Sequence, residues 1–212
     1  MTIPAETPSY PVQFFVDYPD RSLNRLTTAF RIIVAIPMII LVESVSGGRY
    51  VPSDHGDVIV YGAGGILFFA PLLMILFRRK YPRWWFDWNL ELQRFSNRVV
   101  VYLALMDDRY PSTDDHQSVH LDYPYPDAAQ DLNRWLPLVK WFLAIPHYVV
   151  LFFLAIATVV AVVIAWFAIL FTGRYPRGIF DFVEGVFRWG QRVLAYAILL
   201  VTDDYPPFRL AP

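Results

Sequence analysis

The sequence predicts an all-α membrane protein: four transmembrane helices in two parallel tandem repeats, each repeat followed by an amphipathic interfacial helix. Three observations predict it. The 212 residues are 56% hydrophobic and only 17% charged, against roughly 25% charged in soluble domains. Long apolar stretches recur along the chain. Five sequence blocks return in the same order, the mark of an internal repeat.

The matched blocks fix the expected boundaries. "DYPDRSLNRLTTAFRIIVAIP" (17–37) aligns with "DYPYPDAAQDLNRWLPLVKWFLAIP" (122–146), its Leu-Asn-Arg and Ala-Ile-Pro triplets at an offset of 109. "FRRKYPRWWFDWNLELQRFSNRVVVY" (77–102) aligns with "FTGRYPRGIFDFVEGVFRWGQRVLAY" (171–196) at an offset of 94. Both copies close on an acidic Tyr-Pro ending, "MDDRYP" and "VTDDYP". The expected units are an N-terminal tail 1–11, repeat 1 at 12–111, an acidic linker 112–117, repeat 2 at 118–208 and a C-terminal tail 209–212. Residues 1–20 lack a basic start followed by an apolar core, so the first apolar segment is expected to serve as its own insertion signal.

In the first repeat the apolar stretches 26–42 and 58–77 flank a polar Gly/Pro/Ser-rich loop, "ESVSGGRYVPSDHGD" (43–57). They read as two spans. In the second repeat the loop is missing and Trp141–Phe171 is almost unbroken apolar sequence. As one helix those residues extend ~46 Å at about 1.5 Å each, more than a hydrocarbon core of roughly 30 Å. Two spans, 132–151 and 154–172, fit that length. So does an interfacial helix over 132–146, broken at Pro146 and followed by one tilted span. Lys and Arg concentrate beside the stretches and not in the loop, as in Arg21, Arg25 and Arg78–Lys80, which predicts both termini on the cytoplasmic side of a multi-pass protein. After each Tyr-Pro-Arg, apolar residues recur at spacings of three and four (Trp84, Trp88, Leu92, Phe95, Val99), the period of an amphipathic helix. Its apolar end is too short to span, so it is expected to lie against the headgroups.

The candidate binding residues are arginines. Asp87, Arg94 and Arg98 share a helix face, and Asp181, Arg188 and Arg192 repeat the spacing. With Arg83 and Arg177 they form a candidate site for anionic lipid headgroups, because guanidinium groups hold phosphate bidentately. The alternative is that Asp87 pairs with Arg83 or Arg94 as structural glue. Arg31 and Lys140 enter apolar stretches and are expected to snorkel to the surface. Gly62, Gly64 and Gly65 in "YGAGG" are candidate helix-packing or oligomer contacts. His147 follows Pro146 and reads as a hydrogen-bonded structural histidine or, less simply, a relay or ligand. Pro37 and Pro146 are expected to kink their helices. His116 and His120 stand at i, i+4 among the linker acids Asp107, Asp108, Asp114, Asp115 and Asp122, where a divalent ion is conceivable, although acidic linkers are ordinarily just solvated.

The second copy, in "AIPH", "WFAILFTGRYPRGIFDFVEGVFRW", "RVLAY" and "TDDYPPF", resembles a family of small prokaryotic membrane proteins described only as a domain of unknown function (DUF4389). The first copy is more divergent, with Met38 in place of His147. The resemblance implies a place in the prokaryotic cytoplasmic membrane and brings no activity with it.

Absent cysteines exclude disulfides, thiolate metal sites and a cysteine nucleophile. The chain has no Gly-x-Ser-x-Gly, His-Glu-x-x-His or phosphate loop. No catalytic residue, resident metal, cofactor or nucleic-acid partner is expected. The expected function is non-enzymatic: an accessory or scaffold subunit that binds lipid headgroups or a larger membrane complex. The alternative is a small oligomeric transporter or channel with its pathway at the repeat or subunit interface.

Overall fold

In the computed structural model, residues 10–46, 48–51, 58–61, 69–113 and 115–212 are described. Strand β1 (Gln13–Val16) pairs antiparallel with β4 (Val119–Asp122), Gln13 opposite Asp122 and Val16 opposite Val119. Strict alternation puts Phe14, Val16, Val119 and Leu121 inward. Between these strands run α1 (Arg25–Ala29), α2 (Arg31–Ser46), the hairpin β2 (Gly48–Val51)–β3 (Val58–Tyr61), α3 (Phe69–Arg78) and α4 (Arg83–Leu103). After β4 come α5 (Pro137–Leu143), α6 (Ile145–Thr172) and α7 (Arg177–Leu194), which runs on through a wide turn, Ala195–Leu199.

The four-span architecture is not formed. Among the described residues one helix, α6, is long and apolar enough to cross a membrane. Its 28 residues reach ~42 Å at about 1.5 Å each. Helix α2, with 16 residues, reaches only ~24 Å, short of a hydrocarbon core of roughly 30 Å. The expected span 58–77 divides: Val58–Tyr61 is a strand, and α3 holds ten residues. β-Branched and aromatic side chains favour a strand in such a short run. In the second segment the chain follows the single-span alternative, with the short α5 ahead of one long helix. Without hairpin spans, the charge pattern no longer fixes a multi-pass orientation.

Local chemistry explains the ends of α6. Pro146 lies in its first turn and not in its interior, where a missing N–H leaves no bond unmade. It therefore starts the helix and does not kink it. Pro37 does lie inside α2. Gly173, at φ 75°, closes α6 in the left-handed conformation and donates to the Ile169 carbonyl at 2.7 Å, a geometry in which glycine carries no Cβ penalty. Only 11% of its most apolar window is buried. Phe152, Phe153, Val159, Ile164 and Phe171 all stand exposed, and the outward faces of α2 and α5 carry more of the same, including Ile32, Ile33, Trp141 and Phe142.

Helices α4 and α7 are packed into the body of the fold. Each begins directly after a Tyr-Pro pair, and Pro82 and Pro176 hold nearly identical extended geometry, φ −66° ψ 125° and φ −63° ψ 124°. The face of α4 is rotated from the one the spacing suggested: Trp84 and Trp88 are exposed, while Trp85, Phe86 and Leu90 are buried. Phe180, Val183 and Val186 of α7 are buried, and α7 runs alongside α6 and β1. Gly185 lets the C-terminal segment close over α7: a Cβ there would come 2.9 Å from Leu210 Cβ and 3.1 Å from its carbonyl oxygen. Because overpacking costs about 1–3 kcal/mol, Gly185→Ala is expected to lower stability by that amount, measured by denaturant unfolding in detergent micelles. Limited proteolysis should then cut first in the released C-terminal segment.

Candidate functional site

The arginines of the expected headgroup site divide by depth. Arg98, Arg188 and Arg192 are buried, and their guanidinium groups reach backbone carbonyls. Arg188 Nε donates to the Phe14 carbonyl at 2.8 Å, and Arg94 Nε to the Leu121 carbonyl at 3.0 Å. Phe14 and Leu121 are themselves partners across the β1–β4 ladder. Arg98 Nη1 donates to Ser112 and Thr113, and Arg192 Nη1 to Arg209 and Ala211. A buried cation needs partners of this kind, since removal from water is far costlier than a surface pair can repay.

The remaining two are on the outside. Arg83 pairs with Asp87 and Arg177 with Asp181, each at 3.2 Å, with arginine side-chain exposures of 67% and 65%. Asp87 therefore pairs with Arg83 and not with Arg94, which takes Glu91 instead. Each outer arginine also lies over a tyrosine ring, Arg83 over Tyr125 at 4.6 Å and Arg177 over Tyr18 at 4.4 Å.

Further polar contacts come in pairs of the same kind. Tyr18 donates to the Tyr175 carbonyl and Tyr125 to the Tyr81 carbonyl, both at 2.6 Å. Arg25 reaches the Phe171 carbonyl near the end of α6, and Arg134 the Leu76 carbonyl near the end of α3. The Asn24 N–H donates to Asp108, and the Asn133 N–H to Asp203. Gln191 Nε2 donates to Asn97 Oδ1 at 3.0 Å, joining two positions that are 94 residues apart.

Arg31 and Lys140 do not snorkel. Both are fully buried, and each points at the carbonyl following a left-handed helix end: Arg31 Nη1 at Asp107, 2.8 Å, and Lys140 Nζ at Thr202, 2.6 Å. Leu105 and Leu200, at φ 65° and 59°, make those turns. Arg31 lies over the Tyr102 ring and Lys140 over Tyr196. Lys140 also has an ion-pair partner, Asp203 at 2.6 Å. Burial lowers its pKa and Asp203 opposes the shift.

His147 is fully buried, accepts from Trp189 Nε1 at 3.1 Å through Nδ1, and stacks on Phe208 at 3.9 Å. Nδ1 and the ring face are thus held by α7 and the C-terminal segment, while the buried Nε2 has no hydrogen-bond partner. His120 stacks on Phe15 and pairs with Asp17 at 2.9 Å. Among the described residues no group of three or more His, Cys, Asp or Glu side chains is placed to hold a metal ion. Gly62, Gly64, Gly65 and Asp114 lie outside the described residues.

Positive charge exceeds negative where α7 meets the C-terminal segment. Arg188 has Glu184 at 2.6 Å. Arg192 has no carboxylate within ion-pair distance among the described residues; burial and the nearby Arg209 and Arg188 charges lower it to about 10. Nε of Arg98, Arg192 and Arg209 each lacks a hydrogen-bond partner. Sequence reasoning missed Asp203, Glu184 and the paired Tyr18 and Tyr125. The signal for Tyr18, Tyr125 and Asp203 was present in the "DYP" and acidic Tyr-Pro stretches, which marked the repeat boundaries; Glu184 lies in neither motif.

A family model described as a domain of unknown function (DUF4389) matches residues 135–209. The match covers α5, α6, α7 and the C-terminal turn, and it finds one copy, not two. Comparisons with curated proteins and with solved structures find no match.

Two outcomes follow from these contacts. Lys140→Met is expected to cost roughly 3–5 kcal/mol by stranding Asp203, while Arg83→Gln stays within about 0.5 kcal/mol because its partner is exposed; unfolding in detergent compares them. Burial raises the pKa of Tyr10, Tyr81, Tyr123 and Tyr175. A raised folded-state pKa contributes stability that is fully present below the unfolded value of about 10 and lost as pH climbs through the folded one. The fold should therefore lose stability above roughly pH 10, with these phenols titrating only on unfolding, read from tyrosinate absorbance.

Proposed function

We propose that this chain, whose residues 135–209 carry the DUF4389 domain, is a non-enzymatic accessory protein of the membrane that holds anionic lipid headgroups on its arginine-rich side. The observation that carries this reading is α6, a 28-residue apolar helix left uncovered along its length. A soluble core helix of that composition would be buried, and an exposed apolar surface of this extent requires a non-aqueous neighbour. Arg83 and Arg177 support the headgroup assignment. Their present partners are exposed carboxylates, which hold them weakly, and both could turn to phosphate without disturbing the core.

We further propose that the chain is a tandem duplication whose two units exchange contacts about an approximate two-fold. The support is the pairing of Tyr18 with Tyr175 and Tyr125 with Tyr81, and of Arg188 with Phe14 and Arg94 with Leu121. In each pair one unit supplies the donor and the other the carbonyl.

Native mass spectrometry of the protein from nanodiscs of mixed phosphatidylcholine and phosphatidylglycerol tests the lipid assignment. Phosphatidylglycerol should be retained preferentially. The Arg83→Gln/Arg177→Gln variant should lose about thirtyfold of that preference, at about 1 kcal/mol per basic residue near a charged headgroup layer. Equal retention of both lipids by the wild-type protein would refute it.

A further inference from the structure

We infer that Arg31 and the apolar groove beside α6 form a binding site for a single-chain anionic amphiphile of the fatty-acid class, its carboxylate on the guanidinium and its hydrocarbon chain along α6. The inference rests on α6 lying in a bilayer, as proposed above, and on none of the outer arginines.

The first observation is an unbalanced charge. Arg31 is 2% exposed, and Nη1 is occupied by the Asp107 carbonyl. Nε and Nη2 have no hydrogen-bond partner, although the Tyr102 side chain and the Asp107 and Asp108 charges lie close enough to favour the protonated form. These two nitrogens share one edge of the planar group, the edge whose parallel N–H bonds match the two oxygens of a carboxylate. Lys140, which occupies the equivalent place, has Asp203 at 2.6 Å. Arg31 has no carboxylate within ion-pair distance among the described residues. The nearest acids are already engaged: Asp107 with Arg21, Arg109 and Ser118, and Asp108 with Arg21 and the Asn24 N–H. A buried charge in that condition is costly, so an anion supplied from outside would be strongly favoured.

The second observation is space of the right character. A cavity of about 240 Å³ lies against Arg31, Thr28 and Trp166. A larger one of about 580 Å³ continues along α6 as far as Asn97 and Gln191. The two share Leu103, Val162 and Val163 as walls, so they adjoin, and together they fall in the roughly 300–1,000 Å³ range of ligand sites. The small cavity at the charged end suits a carboxylate, and the apolar length beyond it suits one hydrocarbon chain. Nε and Nη2 are closed off from the cavity, so binding requires a side-chain rearrangement there, a change common on binding.

The test titrates the full-length protein in a non-ionic detergent with palmitate, hexadecanol and acetate, counting bound molecules by native mass spectrometry. Palmitate should bind at least about tenfold more tightly than hexadecanol, the worth of one charge-assisted contact, and acetate should not compete. Arg31→Gln should remove that preference. Val163→Trp, at a half-exposed wall position, should block the groove while leaving Arg31 and the core intact, and it carries the test if Arg31→Gln does not fold. Equal affinity for hexadecanol, or undiminished palmitate binding in Val163→Trp, would overturn the inference, as would displacement of palmitate by phosphatidylglycerol at lower concentration. Retention of the protein in carbonate-washed membranes is scored separately, so failure of the membrane assignment and failure of this site are distinguishable.

Discussion

The fold depends on buried cations bonded to backbone carbonyls. Arg31, Lys140, Arg98, Arg188 and Arg192 are all buried, and arginine does not shed its proton to escape a poor environment. Each must therefore meet an acceptor, and the acceptors are carbonyls that secondary structure has left free. Leu105 and Leu200 make such carbonyls available by turning left-handed just past the helices. For a residue with a Cβ that turn costs roughly 1–3 kcal/mol, and Arg31 and Lys140 bond the carbonyls two residues beyond it. The strain and the buried charges are parts of one arrangement.

Long-range pairing follows from the same constraint. Arg188 and Arg94 reach the two strands of the β1–β4 ladder, which tie the beginning of the chain to its middle. Arg25 and Arg134 reach carbonyls near helix C-termini, where the helix dipole favours a cation. The polar groups are thus concentrated on α4, α7 and the segments that contact them. α6 is left almost without them, with an uncovered apolar surface that the proposed bilayer would cover.

Much of this was legible in the sequence. The 94-residue offset picked out α4 and α7, and the Tyr-Pro pairs marked where both begin. Apolar length alone marked α6, and its single-span form was one of two open alternatives. Residues 58–77 misled because hydropathy does not distinguish Val58–Tyr61 as strand from the start of a span, and the two-stranded hairpin needs only four residues a side. The depth of Arg98, Arg188 and Arg192 was hidden for a different reason. Their spacing correctly placed them on helix faces, but the Phe14 carbonyl that engages Arg188 lies 174 residues away, and no local pattern carries that information. Headgroup and carbonyl make the same demand on a guanidinium, so composition could not choose between them. Arg31 and Lys140 were misjudged likewise: snorkelling and burial with partners begin from the same sequence.

The most direct test of the account is cysteine accessibility, which the natural absence of cysteine makes clean. Single cysteines at Ile156, Val160 and Ile164 of α6, and at Asp87 and Asp181 beside the outer arginines, would be labelled with a membrane-impermeant maleimide in native vesicles and after detergent extraction. The account predicts that the α6 positions resist label in both leaflet orientations until the membrane is dissolved, while Asp87→Cys and Asp181→Cys react from an aqueous side. Labelling of Val160→Cys in intact membranes as fast as Asp181→Cys would contradict it, because α6 would then face water in place of lipid.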